Sequence, residues 1–529
     1  MLTTIPAFHV TPLGDRSSRA IMLAIFEEVE ENQAHLLKHL GAETAEKVMR
    51  LLEGRHVVGK YKEFNLLMGD SREHGLEWIL LMGLGKKTDI TQPYRLHDRI
   101  RSVVAIAARH FRRKHLSTFC VDDYSDLGLA GDVAAKLIVE GAKLGLYRYD
   151  RYKAKQGKKD SDETPIQAIY ILTEGDPEVL RKSAHYAEAT CSSTLLARDL
   201  VNTPPTDLTP LGFAEQARQM AETTPGLAFE LLDKAAMERE RMGLHLAVSR
   251  GSDNPPCVSV LTYRGRPDAG GWDLGLVGKG VTFDAGGYDI KPGGSMYRMY
   301  GDMAGAAAVA AAVRSIAVLG LKLNVAAVMP LSENLINGSA YKPGDILTSR
   351  KGLTVEITNT DAEGRLLLAD SLHYTCERFK PTYLIDIATL TGAIVVALGH
   401  FVSGLFTHAT DRDADDKLAA DLLAAGRQTG EWLWRLPVDD DYRVQLSSDV
   451  ADIENAAIDR GAGAGSITAS VFLKEFVDFE VVKAWAHLDI AGTALMEKTL
   501  IYNKCPYQPK EGGTGIGARL LTRFAETLQ

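Results

Sequence analysis

Cysteine is scarce in this chain: five residues in 529, with no CxxC pair among them. That excludes a disulfide framework and a zinc ribbon, and the thiols read as reduced, as in a cytosolic protein. No HExxH and no GxSxG occurs, and the fourteen histidines show no ligand spacing, which argues against a histidine-zinc protease or a serine hydrolase. Positive charge is not in excess either. Lys plus Arg is 60 against 69 Asp plus Glu, a formal net charge of −9, a poor setting for non-specific nucleic-acid binding. The opening MLTTIPAFHVTPLGDRSSR has no basic start and no apolar core, so it does not read as a secretory signal. Long apolar runs are few. Ile387 to Thr410 carries no charged residue, but Thr389, Thr391, Gly392, Gly399, His400, Ser403 and Gly404 interrupt it, and it reads as a strand, a short helix and a strand. A cytoplasmic protein with no membrane segment is expected.

Hydrophobic residues at 45% and charged residues at 24% are ordinary globular usage. The length suits two α/β domains, each a mixed, mostly parallel sheet flanked by helices. The expected division is an N-terminal domain over 1–185, a bridging helix over about 177–201, and a larger C-terminal domain over 186–529. Strands are expected at Ala20–Phe26, Leu76–Gly83, His115–Val121 and Ala168–Leu172, with helices at Ala34–Leu52, Arg95–Arg112, Gly131–Leu146 and Pro177–Val201. Lys153–Thr164 is a charged, solvated loop, and Thr209-Pro210 caps a new helix. Met303–Val313, rich in alanine, reads as a closely packed helix. Two glycine-rich turns mislead. Gly83–Thr88 fails the phosphate-loop pattern at Leu80 and Lys87, and Gly461–Ser466 is more often a tight connection before a helix.

Chemistry concentrates in two segments. In the first, strand Asp273–Val277 runs into Gly278-Lys279-Gly280, and then Asp284-Ala285-Gly286-Gly287, Lys291 and Asp302 follow. Functional groups at the carboxyl end of a buried strand are where open α/β sheets place their sites. In the second, a β-branched strand ends in Asn359-Thr360-Asp361-Ala362-Glu363-Gly364-Arg365, where alternation points Asp361 and Glu363 to one side. Taken alone, Asp-Ala-Glu-Gly is more often a helix cap, and a lone lysine is more often solvated. Four carboxylates leaving apolar strands together are costly to bury without cations between them, and hard oxygen ligands suit Mg²⁺, Mn²⁺ or Zn²⁺.

NTDAEGRL at 359–366 resembles the signature of the leucine aminopeptidase (cytosol aminopeptidase) family. VGKGVTFDAGG at 277–287, DMAGAAAV at 302–309, ATLTGA at 388–393, WAHLDIAG at 485–492 and GGTGIGARLL at 512–521 resemble its other catalytic blocks, in order. ARDLVNTPPTDLTP at 197–210 and MGLGKK at 82–87 are similar to its interdomain and N-terminal regions. The resemblance implies a metallo-aminopeptidase with two divalent metals, Mn²⁺ or Zn²⁺. One would be held by Lys279, Asp284, Asp302 and Glu363, the other by Asp284, Asp361 and Glu363. It implies Lys291 and Arg365 as catalytic residues, Arg365 holding a bicarbonate. Met299 and the turn Thr389-Leu390-Thr391-Gly392 match first-residue pocket positions, for Leu or Met substrates with a free N-terminus. A homohexamer is implied as well. Ala285, Asp289 and Ala304 depart from the usual pattern, and Asp289 adds an acid beside the site. The rival function is a DNA-binding accessory role, which the basic clusters Arg95–Arg101 and Arg109–Lys114 would serve, although solvated helix faces are the plainer reading.

Overall fold

AIMLAIF, at Ala20–Phe26, contains no polar residue, and all seven are buried, as a central parallel strand covered on both faces requires. It is one strand of a six-stranded sheet: β1 (Ala7–Pro12), β2 (Ala20–Phe26), β3 (Phe64–Met68), β4 (Trp78–Gly85), β5 (Thr118–Asp122) and β6 (Ala168–Thr173). The strand order is β1-β6-β5-β2-β4-β3, and only the β3–β4 pair is antiparallel. The computed structural model describes residues 6–14, 17–70, 75–153, 163–268, 270–457, 463–497 and 505–529. They form two compact units, Met1–Cys191 with Leu500–Lys510, and Ser192–Thr499 with Glu511–Gln529.

In the first unit the helix expected over Ala34–Leu52 is two. Gln33–Leu40 and Ala42–Glu53 are separated by Gly41 at φ 75°, a left-handed conformation that stops one helix and redirects the chain into the next. The helix Pro93–Arg113 begins with proline in its first turn, where a missing N–H costs nothing. Arg95, Arg113 and Lys114 are exposed as expected, but other basic residues of this helix turn inward. Arg101 is buried against Glu140 and Asp98, Arg99 donates to Leu84 O at 2.6 Å, and Arg109 donates to Pro506 O at 2.7 Å. Of the charged loop Lys153–Thr164, residues 154–162 lie outside the described residues.

The second unit holds a nine-stranded sheet, a small three-stranded one and an antiparallel two-stranded pair, Leu495–Met496 with Gly512–Gly513. The strands are β7 (Leu227–Leu232), β8 (Cys257–Arg264), β9 (Trp272–Gly278), β10 (Gly280–Asp284), β11 (Asn324–Asn334), β12 (Ile346–Thr348), β13 (Thr354–Glu356), β14 (Pro381–Ala388), β15 (Ser403–His408), β16 (Leu433–Leu436), β17 (Ile453–Glu454) and β18 (Ala484–Asp489). The large sheet runs β16-β15-β18-β14-β9-β11-β8-β7, with β10 beside β11, and β12-β13-β17 form the small one. Its centre, β18-β14-β9-β11, is parallel. Alternate residues of β11 enter two cores: Val325, Ala327 and Met329 meet the helix Ala304–Val318, and Ala326 and Val328 meet the helix Gly364–Phe379.

Small side chains let Ala304–Val318 lie directly on the sheet. A Cβ on Gly305 would stand 2.1 Å from the Ile387 carbonyl oxygen. The stretch Gly293–Val318 is long and apolar enough to cross a membrane by composition, but its most apolar window is 89% buried within the protein. Ile387–Thr410 forms strand, helix (Gly392–Leu398) and strand as expected. Thr209 caps its helix by accepting from Gly212 N, with Pro210 at the first position. Of the glycine run, residues 461 and 462 lie outside the described residues, and the rest leads into the helix Gly465–Lys474. The two ends of this unit meet: Arg198 Nε donates to Thr514 O at 2.9 Å, and Gly513 N to Asn202 Oδ1 at 2.8 Å.

Candidate active site

β9 ends at Gly278 and β10 ends at Asp284, so Lys279 and Asp284 leave the large sheet at a carboxyl edge. Gly286 and Gly287, at φ 91° and 65°, turn the chain back so that Lys291 N donates to Ala285 O at 3.0 Å. A side chain at Gly286 is excluded doubly, since its Cβ would stand 2.8 Å from Asp361 Oδ1. Glu363 occupies the cap position of Gly364–Phe379 but makes no capping hydrogen bond. The plain cap reading of Asp-Ala-Glu-Gly therefore does not describe its side chain. Gly364 makes room for the lysine: a Cβ there would stand 2.4 Å from Lys279 Cε.

The structure gathers the seven residues singled out by the sequence into one neighbourhood of the second unit. Lys279 Nζ lies 2.8 Å from Asp302 Oδ2 and 2.9 Å from Glu363 Oε1, and it donates to Thr389 O at 2.9 Å. Lys291 Nζ lies 2.8 Å from Asp284 Oδ2 and 2.5 Å from Asp361 Oδ1. Asp284, Asp361 and Glu363 each present a carboxylate oxygen within 4.8 Å of the others. Asp302 is tied to this group through Lys279 and accepts from Thr389 Oγ1 at 2.7 Å.

Burial sets the electrostatics. It lifts Asp284 well above the usual carboxylate range, reinforced by the charges of Glu363 and Asp302. It lifts Asp302 to about 6 against the pull of Lys279, and it raises Asp361 with help from Glu363. Burial would raise Glu363 too, but Lys279 and Lys291 outweigh it and hold that group low. Both lysines resist a desolvation that would neutralise them and are raised by the surrounding carboxylates. Four carboxylates face two ammonium groups here, and Glu363 Oε2 is buried without a hydrogen-bond partner. An oxygen-rich, undercompensated set of this kind fits divalent cations.

Several supporting residues carry no motif. Asn334, at the end of β11, donates to Asp284 Oδ1 at 2.9 Å and to Thr360 O at 3.0 Å, and Tyr341 OH donates to Thr360 O at 2.7 Å. The signal that could have found Asn334 is the polar Ser332-Glu333-Asn334 ending of an otherwise apolar strand. Asp289 is not aimed at the carboxylates. Its Oδ2 accepts from Thr360 N at 2.7 Å and braces the loop that carries Asp361. Arg365 is buried, which lowers it to about 10, and its Nη1 donates to Asn455 O at 2.7 Å. Asn455 also donates to Asn359 O at 2.7 Å. Of the pocket positions, Met299 is half-buried in the turn before Asp302, Leu390 packs on the core, and a Cβ on Gly392 would meet open space. Ala285 and Ala304 are both buried.

Two family models match the chain: the catalytic domain of the cytosol aminopeptidase family over residues 195–522 and its N-terminal domain over residues 22–156. A probable cytosol aminopeptidase of Geobacter sp. (strain M21) is 40% identical over 521 residues, covering 98% of this chain and 97% of that protein. One from Solibacter usitatus (strain Ellin6076) is 40% identical over 516 residues, 97% of each chain. Among solved structures, a mutant of tomato leucine aminopeptidase superposes with a TM-score of 0.83 at 31% identity, over 99% of this chain and 96% of that one. The bottromycin maturation enzyme BotP in complex with Mn superposes with a TM-score of 0.79 at 34% identity, over 97% and 100%. With both domains matched and full-length relatives at this identity, the chain belongs to the cytosol aminopeptidase family and is a metal-dependent aminopeptidase.

Proposed function

We propose that this aminopeptidase hydrolyses the first peptide bond of substrates with a free N-terminus, preferring Leu or Met in the first position. The observation that carries the reading is the set of buried Asp284, Asp302 and Glu363 with half-buried Asp361, held around only two lysines. Lys279, Asp284, Asp302 and Glu363 would hold one divalent cation, and Asp284, Asp361 and Glu363 the other, Mn²⁺ or Zn²⁺. Bound there, the pair would lower the pKa of the attacking water and polarise the scissile carbonyl, as in other two-metal hydrolases. Asp302 would meet the substrate's α-amine, so that one residue is trimmed and internal bonds are left alone.

Lys291 is kept cationic by its carboxylate neighbours and would donate to the carbonyl oxygen as negative charge develops on it. No carboxylate of the cluster is left over as a base. Arg365 supports an external one: it remains charged near neutral pH, and its buried Nε has no protein partner, which leaves a donor to hold bicarbonate. Met299, Thr389, Leu390 and Gly392 would line the first-residue pocket, where neighbouring sizes differ by about 1–3 kcal/mol. The proposed assembly is a cytoplasmic homohexamer of about 346 kDa, from a 57.6 kDa chain. A DNA-binding role draws no support from Arg99, Arg101 and Arg109, which spend donors inside their own domain.

Exhaustive chelation, verified by metal analysis, should abolish hydrolysis of leucinamide, and added Mn²⁺ or Zn²⁺ should restore it. N-acetyl-leucinamide should remain uncleaved throughout. An unchanged rate without metal, or equal rates on the two amides, would refute the mechanism.

A further inference from the structure

The first unit has its own gathering of ligand-type side chains, in a place where open sheets bind ligands. β2 leads on to β4 on one side of it, whereas β5 leads to β6 on the other. The crevice between the carboxyl ends of β2 and β5 is therefore a topological switch point. His35 and His39 lie there, one turn apart on the helix Gln33–Leu40 that follows β2. Asp122 is the last residue of β5, and Asp126 lies in the turn Ser125–Leu127 just beyond it. The four-residue interval between His35 and His39 is also how an amphipathic helix presents its core face, so spacing alone does not mark the pair as ligands.

Each of the four offers an atom within 4.8 Å of the others. His35, His39 and Asp122 are 1%, 0% and 0% exposed. His39 Nε2 stands 2.8 Å from Asp122 Oδ1, and His35 Nδ1 stands 3.5 Å from Asp122 Oδ2 and 3.7 Å from Asp126 Oδ2. No hydrogen bond of ordinary geometry satisfies either ring nitrogen of His35 or His39, nor Asp122 Oδ1. Polar atoms so deeply buried are almost always satisfied; one nitrogen of each ring, His35 Nδ1 and His39 Nε2, faces the carboxylates without a hydrogen bond of good geometry, and a shared cation would satisfy both. The opposite oxygen of Asp122 is held by Tyr124 N at 2.8 Å, which fixes the carboxylate as an outer-sphere contact does in metal sites. Lys38 is the one cation at the cluster among the described residues. Its Nζ is 3.2 Å from Asp126 Oδ2, 3.9 Å from Asp122 Oδ1 and 3.4 Å from the exposed Glu174 Oε2.

We propose that His35, His39, Asp122 and Asp126 form a second metal site, separate from the aminopeptidase cluster, that takes a borderline divalent cation of the Zn²⁺ class. Two imidazoles with two carboxylates suit that class, and the imidazole donors set this site apart from the carboxylate-and-lysine cluster of the other unit. A tetrahedral shell with bonds of about 2.0–2.1 Å sets ligand atoms about 3.4 Å apart, close to the spacings already present. Cation entry displaces Lys38 toward Glu174 and ties the helix Gln33–Leu40 to the end of β5.

The test uses the full chain, stripped of metal and reloaded at micromolar concentration. Pulsed EPR after Cu²⁺ loading should show imidazole-nitrogen coupling, a signature the histidine-free aminopeptidase cluster cannot give. The double variant His35→Gln/His39→Gln should lose that coupling and retain one Zn²⁺ fewer per chain. Lys38→Met should tighten Zn²⁺ binding at least about tenfold, by removing a competing charge; a cluster that merely packs would show no such gain. If the double variant fails to fold, Asp126→Asn at the rim supplies the same comparison. Equal metal content in wild type and variants, coupling that persists undiminished in them, or no change in affinity with Lys38→Met would each overturn the site.

Discussion

The two clusters occupy the same address in two different sheets, the carboxyl ends of parallel strands, but they treat buried charge in opposite ways. In the second unit four carboxylates meet two lysines, and glycines at 286 and 364 let these groups close to within contact distance. In the first unit two carboxylates meet one lysine, and the remaining donors are imidazoles that carry no charge when neutral. Burial favours that neutral form for His39, whose pKa it lowers against the pull of Asp122. An architecture thus supplies a place, while the donor atoms leaving the strands decide what kind of ion or substrate that place will take.

The largest effect that would break this contrast lies in the two lysines of the aminopeptidase cluster. Lys291→Ala should lower kcat about 10²- to 10³-fold with both metals retained, since its proposed role is to donate to the developing oxyanion and not to ligate. Lys279→Ala should reduce metal occupancy instead, and equal metal loss from both variants would erase the distinction. Gly364→Ala tests whether close approach is needed. Its Cβ would stand 2.4 Å from Lys279 Cε and 2.6 Å from Nζ, so urea denaturation should show a loss of about 1–3 kcal/mol, together with weaker metal binding.

A third and smaller effect isolates the burial of a histidine ring whose pKa is set by desolvation and a backbone carbonyl, not by a carboxylate. His245 is fully buried in the second unit, its Nε2 3.1 Å from Leu331 O, and burial lowers it to about 4. An unfolded chain takes up that proton near pH 6.5, and the folded one does so only near pH 4, so stability falls as the solution is acidified across this window. Between pH 7 and 5 the loss should be about 2 kcal/mol, and it should vanish in His245→Gln when urea midpoints are compared.

Much of this was legible in the sequence for identifiable reasons. Strands such as AIMLAIF are apolar at every position, so their burial on both faces follows from composition. Lys279, Asp284, Asp361 and Glu363 stood out because glycines and acids closed apolar strands. Gly41 was harder, since a single glycine inside a helical pattern reads as tolerated until its φ is known. Arg101 and Glu140 pair across 39 residues of chain, and no local pattern separates a buried arginine from a solvated one. Asn334, Tyr341 and Asp122 acquire their roles only when distant loops meet, which requires tertiary structure.

The junction of Arg198 with Thr514 spans 316 residues, and that of Asn202 with Gly513 spans 311. During synthesis the helix Pro177–Asn202 is made long before its partner strand ends and turns exist. The alanine-rich Ala304–Val318 must likewise wait for Ala518–Glu526, whose Leu521 and Phe524 belong to the same core. The nascent aminopeptidase unit therefore carries an uncovered apolar helix for most of its time on the ribosome. Contacts of such sequence separation close slowly, and surfaces of this kind are where chaperones engage and aggregation begins.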